Sequence, residues 1–244
     1  MIVQLAFFSA LVLGSSSASA APYFSRGAPF PNSTTVNLRV EGDNNHTIYE
    51  TPVFTWGHNV TTVSGGTHHC DGTNNAANPE PGPTCTSALD NASKLAGFPW
   101  DATYDAEYDD FFITSIAGTT QTTTQYWGIL LNYEYIPVGG CQQEVAFGDH
   151  VLFAFDAFNK DYFLELSGPT LVAPGSTVAY TVLDGMTRAP VQGAAVVDAT
   201  SGVEEGITDG TGKAVLAFKA PGAVLLKARK SDAVQSNGIP VVVG

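Results

Sequence analysis

The sequence predicts a mainly β protein with one helix in its first half and a small β-sandwich in its second. Three observations lead there. Short runs of β-branched and aromatic residues recur between Gly, Pro and Asn turns along the chain. Only residues 84–97 combine a helical period with start and stop signals. Charge divides the 244 residues: Pro22 to Phe158 holds three basic and fifteen acidic residues, whereas Asn159 to Gly244 holds seven and eight. Two differently built halves therefore meet near Asn159.

The elements follow in chain order. Ile2 to Leu13 is an apolar run ending in the small residues Ala18, Ser19 and Ala20. Such a run is too short to cross roughly 30 Å of hydrocarbon and suits a signal peptide over residues 1–20, so the chain is expected to be secreted, extracellular or in a cell wall, with no membrane span. A Pro-rich flexible leader is expected over 21–34. Val36, Leu38 and Val40 alternate with Asn37, Arg39 and Glu41, the period of a half-buried strand, and Thr47 to Glu50 makes a hairpin with it. Ser64 to Pro83 shows no period and is expected to be an insertion, a binding loop or a disulfide-tethered flap.

The helix comes next. Thr84 or Thr86 can cap it, Ala88, Leu89, Ala92, Leu95 and Ala96 form its apolar face, and Gly97 ends it. Phe111 to Ile116, Tyr126 to Asn132 and Val151 to Phe155 read as strands. Beyond Asn159, turn signals at Gly168-Pro169, Pro174-Gly175, Asp184-Gly185, Asp209-Gly210 and Pro221-Gly222 separate short apolar runs, the spacing of a sandwich. Gly210-Thr-Gly-Lys213 is no phosphate loop, because Ile207 stands where its first Gly belongs and Ala214 follows the Lys. Asp209-Gly210 is expected to be a hairpin turn.

The net charge of −13 excludes nucleic acid and an anionic membrane surface as partners. Four Asn-x-Ser/Thr acceptors, Asn32, Asn45, Asn59 and Asn91, lie in the acidic half, and the helical pattern places Asn91 on the face turned to water. Cys70, Cys85 and Cys141 permit one bridge within the chain, and spacing leaves all three pairs open. His46, His58, His68 and His69 show no zinc spacing and are expected to be loop histidines. No cofactor motif and no Gly-x-Ser-x-Gly elbow occur.

The most distinctive local composition runs from Trp100 to Phe112. Trp100, Tyr104, Asp105, Glu107, Tyr108, Asp109 and Asp110 form the candidate binding set. Carboxylates at this density suit Ca²⁺, or acid and base work on a glycoside, and the aromatics suit stacking on sugar rings. The plain alternative is an exposed connection whose aromatics cover the core.

The segments Phe112-Ile-Thr-Ser-Ile-Ala-Gly118, Tyr126-Trp-Gly-Ile-Leu-Leu-Asn132, Gly139-Gly-Cys141 and Gly148-Asp-His-Val-Leu-Phe153, with Cys70-Asp-Gly-Thr73, resemble the DUF4430 family. That family is similar to the C-terminal β-grasp domain of transcobalamin and intrinsic factor. The resemblance implies an α+β β-grasp domain with one helix over residues 35–158, a non-catalytic ligand binder, and a Cys70–Cys141 bridge. Cys85 departs from the pattern. It does not by itself imply cobalamin, since the helical barrel of those proteins has no counterpart here. Pro190 to Val197, Thr208 to Leu216 and Leu225 to Arg229 resemble immunoglobulin-like and transthyretin-like carboxypeptidase-regulatory modules, implying a small β-sandwich over 162–244. The expected function is an acidic ligand- or surface-binding protein on a spacer, with an extracellular ligand, carbohydrate among the candidates. The alternatives are a carboxylate-dependent glycoside hydrolase and a structural wall or matrix component.

Overall fold

The alternation Val36, Leu38, Val40 places three apolar side chains on one face of strand β1 (Thr34–Glu41), all of them buried. The computed structural model describes residues 32–244. The expected signal peptide and most of the expected leader lie outside the described residues, and Thr34 already belongs to β1. β2 (Thr47–Thr55) returns antiparallel, longer than the sequence pattern suggested. β3 (His58–Thr62) and β4 (Gly66–Cys70) form a separate hairpin. The sequence predicts no period there, because the Thr, Gly and His side chains do not alternate between apolar and polar.

Helix α1 (Cys85–Ala96) begins at Thr84, whose hydroxyl accepts from the Ser87 amide while the Ser87 hydroxyl accepts from the Thr84 amide, and ends at Gly97 in the left-handed region. Ala88, Leu89 and Ala92 are buried, but Leu95 is 72% exposed. The last turn overhangs the sheet, so the apolar stripe is covered only along its first two turns.

The strands β5 (Trp100–Asp105) and β6 (Asp110–Ile116) pair as a hairpin, with β7 (Thr119–Thr120) at its edge. The acidic stretch is thus ordered sheet rather than an open connection. Next come β8 (Trp127–Leu131), β9 (Glu134–Tyr135) and β10 (His150–Phe155). The central sheet has the order β2-β1-β10-β8-β9, with β1 and β10 parallel and α1 packed on one face, a β-grasp arrangement.

The second half supplies β11 (Tyr162–Ser167), β12 (Leu171–Val172), β13 (Ser176–Asp184), β14 (Ala195–Asp198) and β15 (Glu204–Ile207). It continues with β16 (Lys213–Phe218), β17 (Gly222–Arg229), β18 (Ala233–Val234) and β19 (Ile239–Val243). Two sheets, β16-β13-β11-β18 and β12-β19-β17-β14-β15, close over Leu164, Tyr180, Leu216, Leu226 and Val241. The Asp209-Gly210 segment is a turn, as its spacing suggested, but no hairpin: it carries the chain from β15 in one sheet to β16 in the other. The Asp209 carboxylate holds it by accepting from Thr211 and Lys213 amides.

Both faces of the central sheet are buried. Along β10, Val151, Phe153 and Phe155 face the helix side, while Leu152 and Ala154 pack with Leu130, Phe163 and Val234 on the other. A nearly continuous apolar run is what such a strand requires. Arg39 and Glu41, expected on a solvated face of β1, are 7% and 2% exposed, because β17 and β18 cover them. The Lys227 ammonium donates to Glu41 at 2.8 Å and to Thr47 Oγ1 at 2.6 Å, and pairs with Glu50 at 2.7 Å. The Gln235 amide donates to the other Glu41 oxygen at 2.7 Å, and the Gly238 amide to Glu50 at 2.7 Å. Three acceptors meet the three N–H bonds of the ammonium, the condition for burying it.

Candidate functional site

The Cys70–Cys141 bridge ties residues 137–142 to the end of β4, and the Cys141 amide joins them to Asp110 of the β5–β6 hairpin. Cys85 stays a buried free thiol, and burial raises its pKa well above the ordinary range. Between the hairpin and the 137–142 segment lies a groove of about 740 Å³. It is larger than the cavities of about 250, 300 and 520 Å³ between the two halves of the chain. Of the candidate set, Tyr104, Asp105, Tyr108 and Asp110 line it. Sequence reasoning missed Asn75, Phe112, Val138 and Gln142, which also line it. Phe112 and Val138 stand 49% and 41% exposed, as apolar side chains without a partner in the core. The Asp110-Phe-Phe112 run was the one available signal, two successive aromatics on a strand that needs only one for the core.

Asp110 is buried at the groove, where its carboxylate accepts from the Phe111 amide at 2.7 Å and the Cys141 amide at 3.0 Å. Desolvation pushes its pKa up to about 6 against the effect of those amides. Gly139 lies so close to this carboxylate that a Cβ would overlap it. A glycine is required there for the loop to approach.

The other candidates serve elsewhere. Trp100 turns away from the groove and donates from Nε1 to Asp90 at 3.4 Å. The same carboxylate takes Lys94 Nζ at 2.6 Å and His58 Nε2 at 2.6 Å, tying α1 to β3 and β5. Desolvation opposes ionisation of Asp90, but the His58 hydrogen bond and Lys94 outweigh it and its pKa is lowered. Glu107 is exposed in the turn, and its amide and that of Tyr108 donate to Asp105.

Asp109 adopts φ +51° and joins a network behind the groove wall. The Tyr104 hydroxyl donates to one of its oxygens, and His69 Nε2 at 3.1 Å and the Asn75 amide at 2.7 Å donate to the other. His69 Nδ1 faces Asp71 at 3.3 Å, and Asp71 also accepts from the Thr73 hydroxyl at 2.6 Å. The His68 ring stacks on Tyr104, centroids 3.4 Å apart. His58, His68 and His69 are therefore partnered residues of β3 and β4 rather than loop histidines, whereas His46 is an exposed loop histidine as expected.

Desolvation lowers the His69 pKa, but the Asp71 hydrogen bond and the Asp109 charge outweigh it, and the pKa is raised. Desolvation likewise opposes ionisation of Asp71 and Asp109. Thr73 outweighs it for the first and Tyr104 with the Asn75 amide for the second, so both pKa values are lowered. The sign follows for stability. The carboxylate contribution is present above the unfolded value of 3.8 and is lost as pH falls through the lowered folded pKa values. The imidazolium contribution is full below 6.5 and is lost as pH rises through the raised one. The Tm advantage of wild type over His69→Gln is therefore expected to be full from about pH 4 to 6.5 and to shrink on either side. A constant difference from pH 5 to 9 in thermal melts contradicts this.

The structure also revises Asn91. It is 8% exposed and its side-chain oxygen has no hydrogen-bond partner, since β3 covers the helix flank that carries Asp90 and Asn91. It does not face water and is withdrawn as a glycan acceptor. Asn45 and Asn59 are exposed, and the exposed Asn32 donates from its side chain to the Pro81 carbonyl. No described helix is long and apolar enough to cross a membrane, and the described residues bring no three acidic, His or Cys side chains together as a metal cluster.

The groove is built by the β5–β6 hairpin, Asn75 and the 137–142 segment. Residues 86–157 match the model of DUF4430, a domain of unknown function, so the resemblance is borne out over that segment. No curated protein matches the chain. A crystal structure of haptocorrin in complex with Cbi is similar at 19% identity and a TM-score of 0.35. The match covers 50% of this chain and 25% of that one.

Proposed function

We propose that the chain is a secreted, non-catalytic binding protein that holds a small ligand in the groove between the β5–β6 hairpin and residues 137–142. Residues 35–158 act as the β-grasp binding domain, and 162–244 as an immunoglobulin-like carrier. The single observation that carries this reading is the groove itself. Its volume of about 740 Å³ is that of a small-molecule site, and exposed aromatic side chains wall it beside a few polar groups. Hydrolysis of a glycoside needs two carboxylates free to work on opposite sides of a bond. Asp109 is committed to Tyr104, His69 and Asn75, and Asp105 to the turn amides, which favours binding over turnover.

A thermal-shift screen of the purified protein across metals, sugars, corrinoids and amines tests this. One class is expected to raise the Tm saturably, by about 2.7 kcal/mol of apparent stability at a hundredfold excess over Kd. Phe112→Ala and Tyr108→Ala, both at exposed positions, are expected to abolish the shift without unfolding the protein. A saturable shift that survives both substitutions places the site elsewhere. Retention on insoluble polysaccharide with no saturable shift favours the structural wall component.

A further inference from the structure

We propose that the groove selects an organic cation, an ammonium group carried on an apolar or aromatic body. This rests on the groove being the ligand site. The charge at the groove is one-sided: Asp105 and Asp110 line it, and no Lys, Arg or His does. Asp110 is 5% exposed, and among the described residues no cationic side chain pairs with it. Of the three other buried carboxylates among the described residues, two are neutralised by a cation, Glu41 by Lys227 and Asp90 by Lys94 and His58, while Asp184 is held by the Phe163 and Thr187 amides and the Thr187 hydroxyl. At Asp110 only backbone amides answer the charge, and a desolvated carboxylate without a counter-charge is costly to keep. A bound cation supplies what the chain itself omits.

The remaining surface suits the rest of such a ligand. Tyr108 and Phe112, both exposed, line the groove, and a cation within about 6 Å of a ring centroid gains from the ring quadrupole. Val138 and Phe112 offer apolar area to the body of the ligand. A volume of about 740 Å³ exceeds what a bare metal ion needs, and the described residues assemble no metal cluster. An anionic ligand meets two carboxylates and no counter-charge.

The test uses the full chain and a matched pair of probes, phenethylamine and phenethyl alcohol, the first cationic and the second neutral at pH 7.5. Binding is followed by NMR shifts and by intrinsic fluorescence. The amine is expected to bind at least tenfold tighter, to weaken several-fold between 50 and 500 mM NaCl, and to lose most of its preference in Asp110→Asn. The asparagine retains an acceptor for the loop amides, and Asp105→Asn, at an exposed turn position, provides a second charge deletion should the first unfold. Equal binding of both probes, lost in Phe112→Ala, overturns the cation preference and leaves the groove as the site. Shifts for neither probe overturn the groove as well.

Discussion

Replacing Lys227 by alanine is expected to lower the free energy of unfolding by about 3–5 kcal/mol, because it strands two carboxylates that the fold has enclosed. The ammonium is 2% exposed and Glu41 3%, so water cannot take its place. Glu50, at 25%, is better solvated and contributes less. The chemistry of the loss is asymmetric. Removing the cation alone leaves Glu41 with Arg39, whose guanidinium is 3.8 Å away, as its remaining cationic neighbour. Removing charge on both sides, as in Lys227→Met with Glu41→Gln and Glu50→Gln, is expected to recover most of the stability, since the pair stabilises the fold less than its disruption harms it. Urea unfolding followed by fluorescence distinguishes these outcomes through the midpoint. A single substitution within 1 kcal/mol of wild type contradicts the buried network.

The second large effect is expected at the disulfide. Cys70 and Cys141 are 71 residues apart in sequence. Constraining a loop of that length in the unfolded chain is worth about 4 kcal/mol in the loop-entropy model. Cys70→Ala with Cys141→Ala is therefore expected to lower stability by roughly that amount. Replacing both cysteines leaves no new thiol to compete for Cys85, which is buried and stays protonated. The site feels the change too. The Gly72 amide donates to the Cys141 carbonyl, and the Cys141 amide donates to Asp110, so the bridge positions both the loop and the carboxylate. Hydrogen exchange at residues 139–142 is expected to accelerate more than exchange in the second half. Uniform acceleration across the chain shows that the bridge supports global stability alone.

Much of the local structure was readable from residue pattern. Thr84 and Gly97 bracket the helix because a hydroxyl can accept an orphan amide and a glycine can take positive φ, both local properties. Val36, Leu38 and Val40 announce a strand face for the same reason: side chains alternate whatever covers them. The groove was only half readable. Tyr104, Asp105, Tyr108 and Asp110 stand out as composition, but Val138 and Gln142 reach them through a covalent bridge and a loop distant in sequence.

Alternation establishes that a strand has two faces, and the residue types suggest which one prefers water. On that basis Arg39 and Glu41 belong outside. The tertiary structure decides otherwise. Lys227 and Gln235, nearly two hundred residues away, answer the charge on that face and allow it to be buried. A charged side chain is costly to bury only while it lacks a partner, and the identity of the partner is a property of the packed chain. The sequence by itself therefore determined the strands whose residues alternate or run apolar, such as β1, β6, β8 and β10, the helix with its ends, and the concentration of acid in the first half. Only the packed structure decided that the two halves share an interface, that Asn91 is enclosed, and that one acidic hairpin faces a groove where its buried carboxylate has no cation of its own.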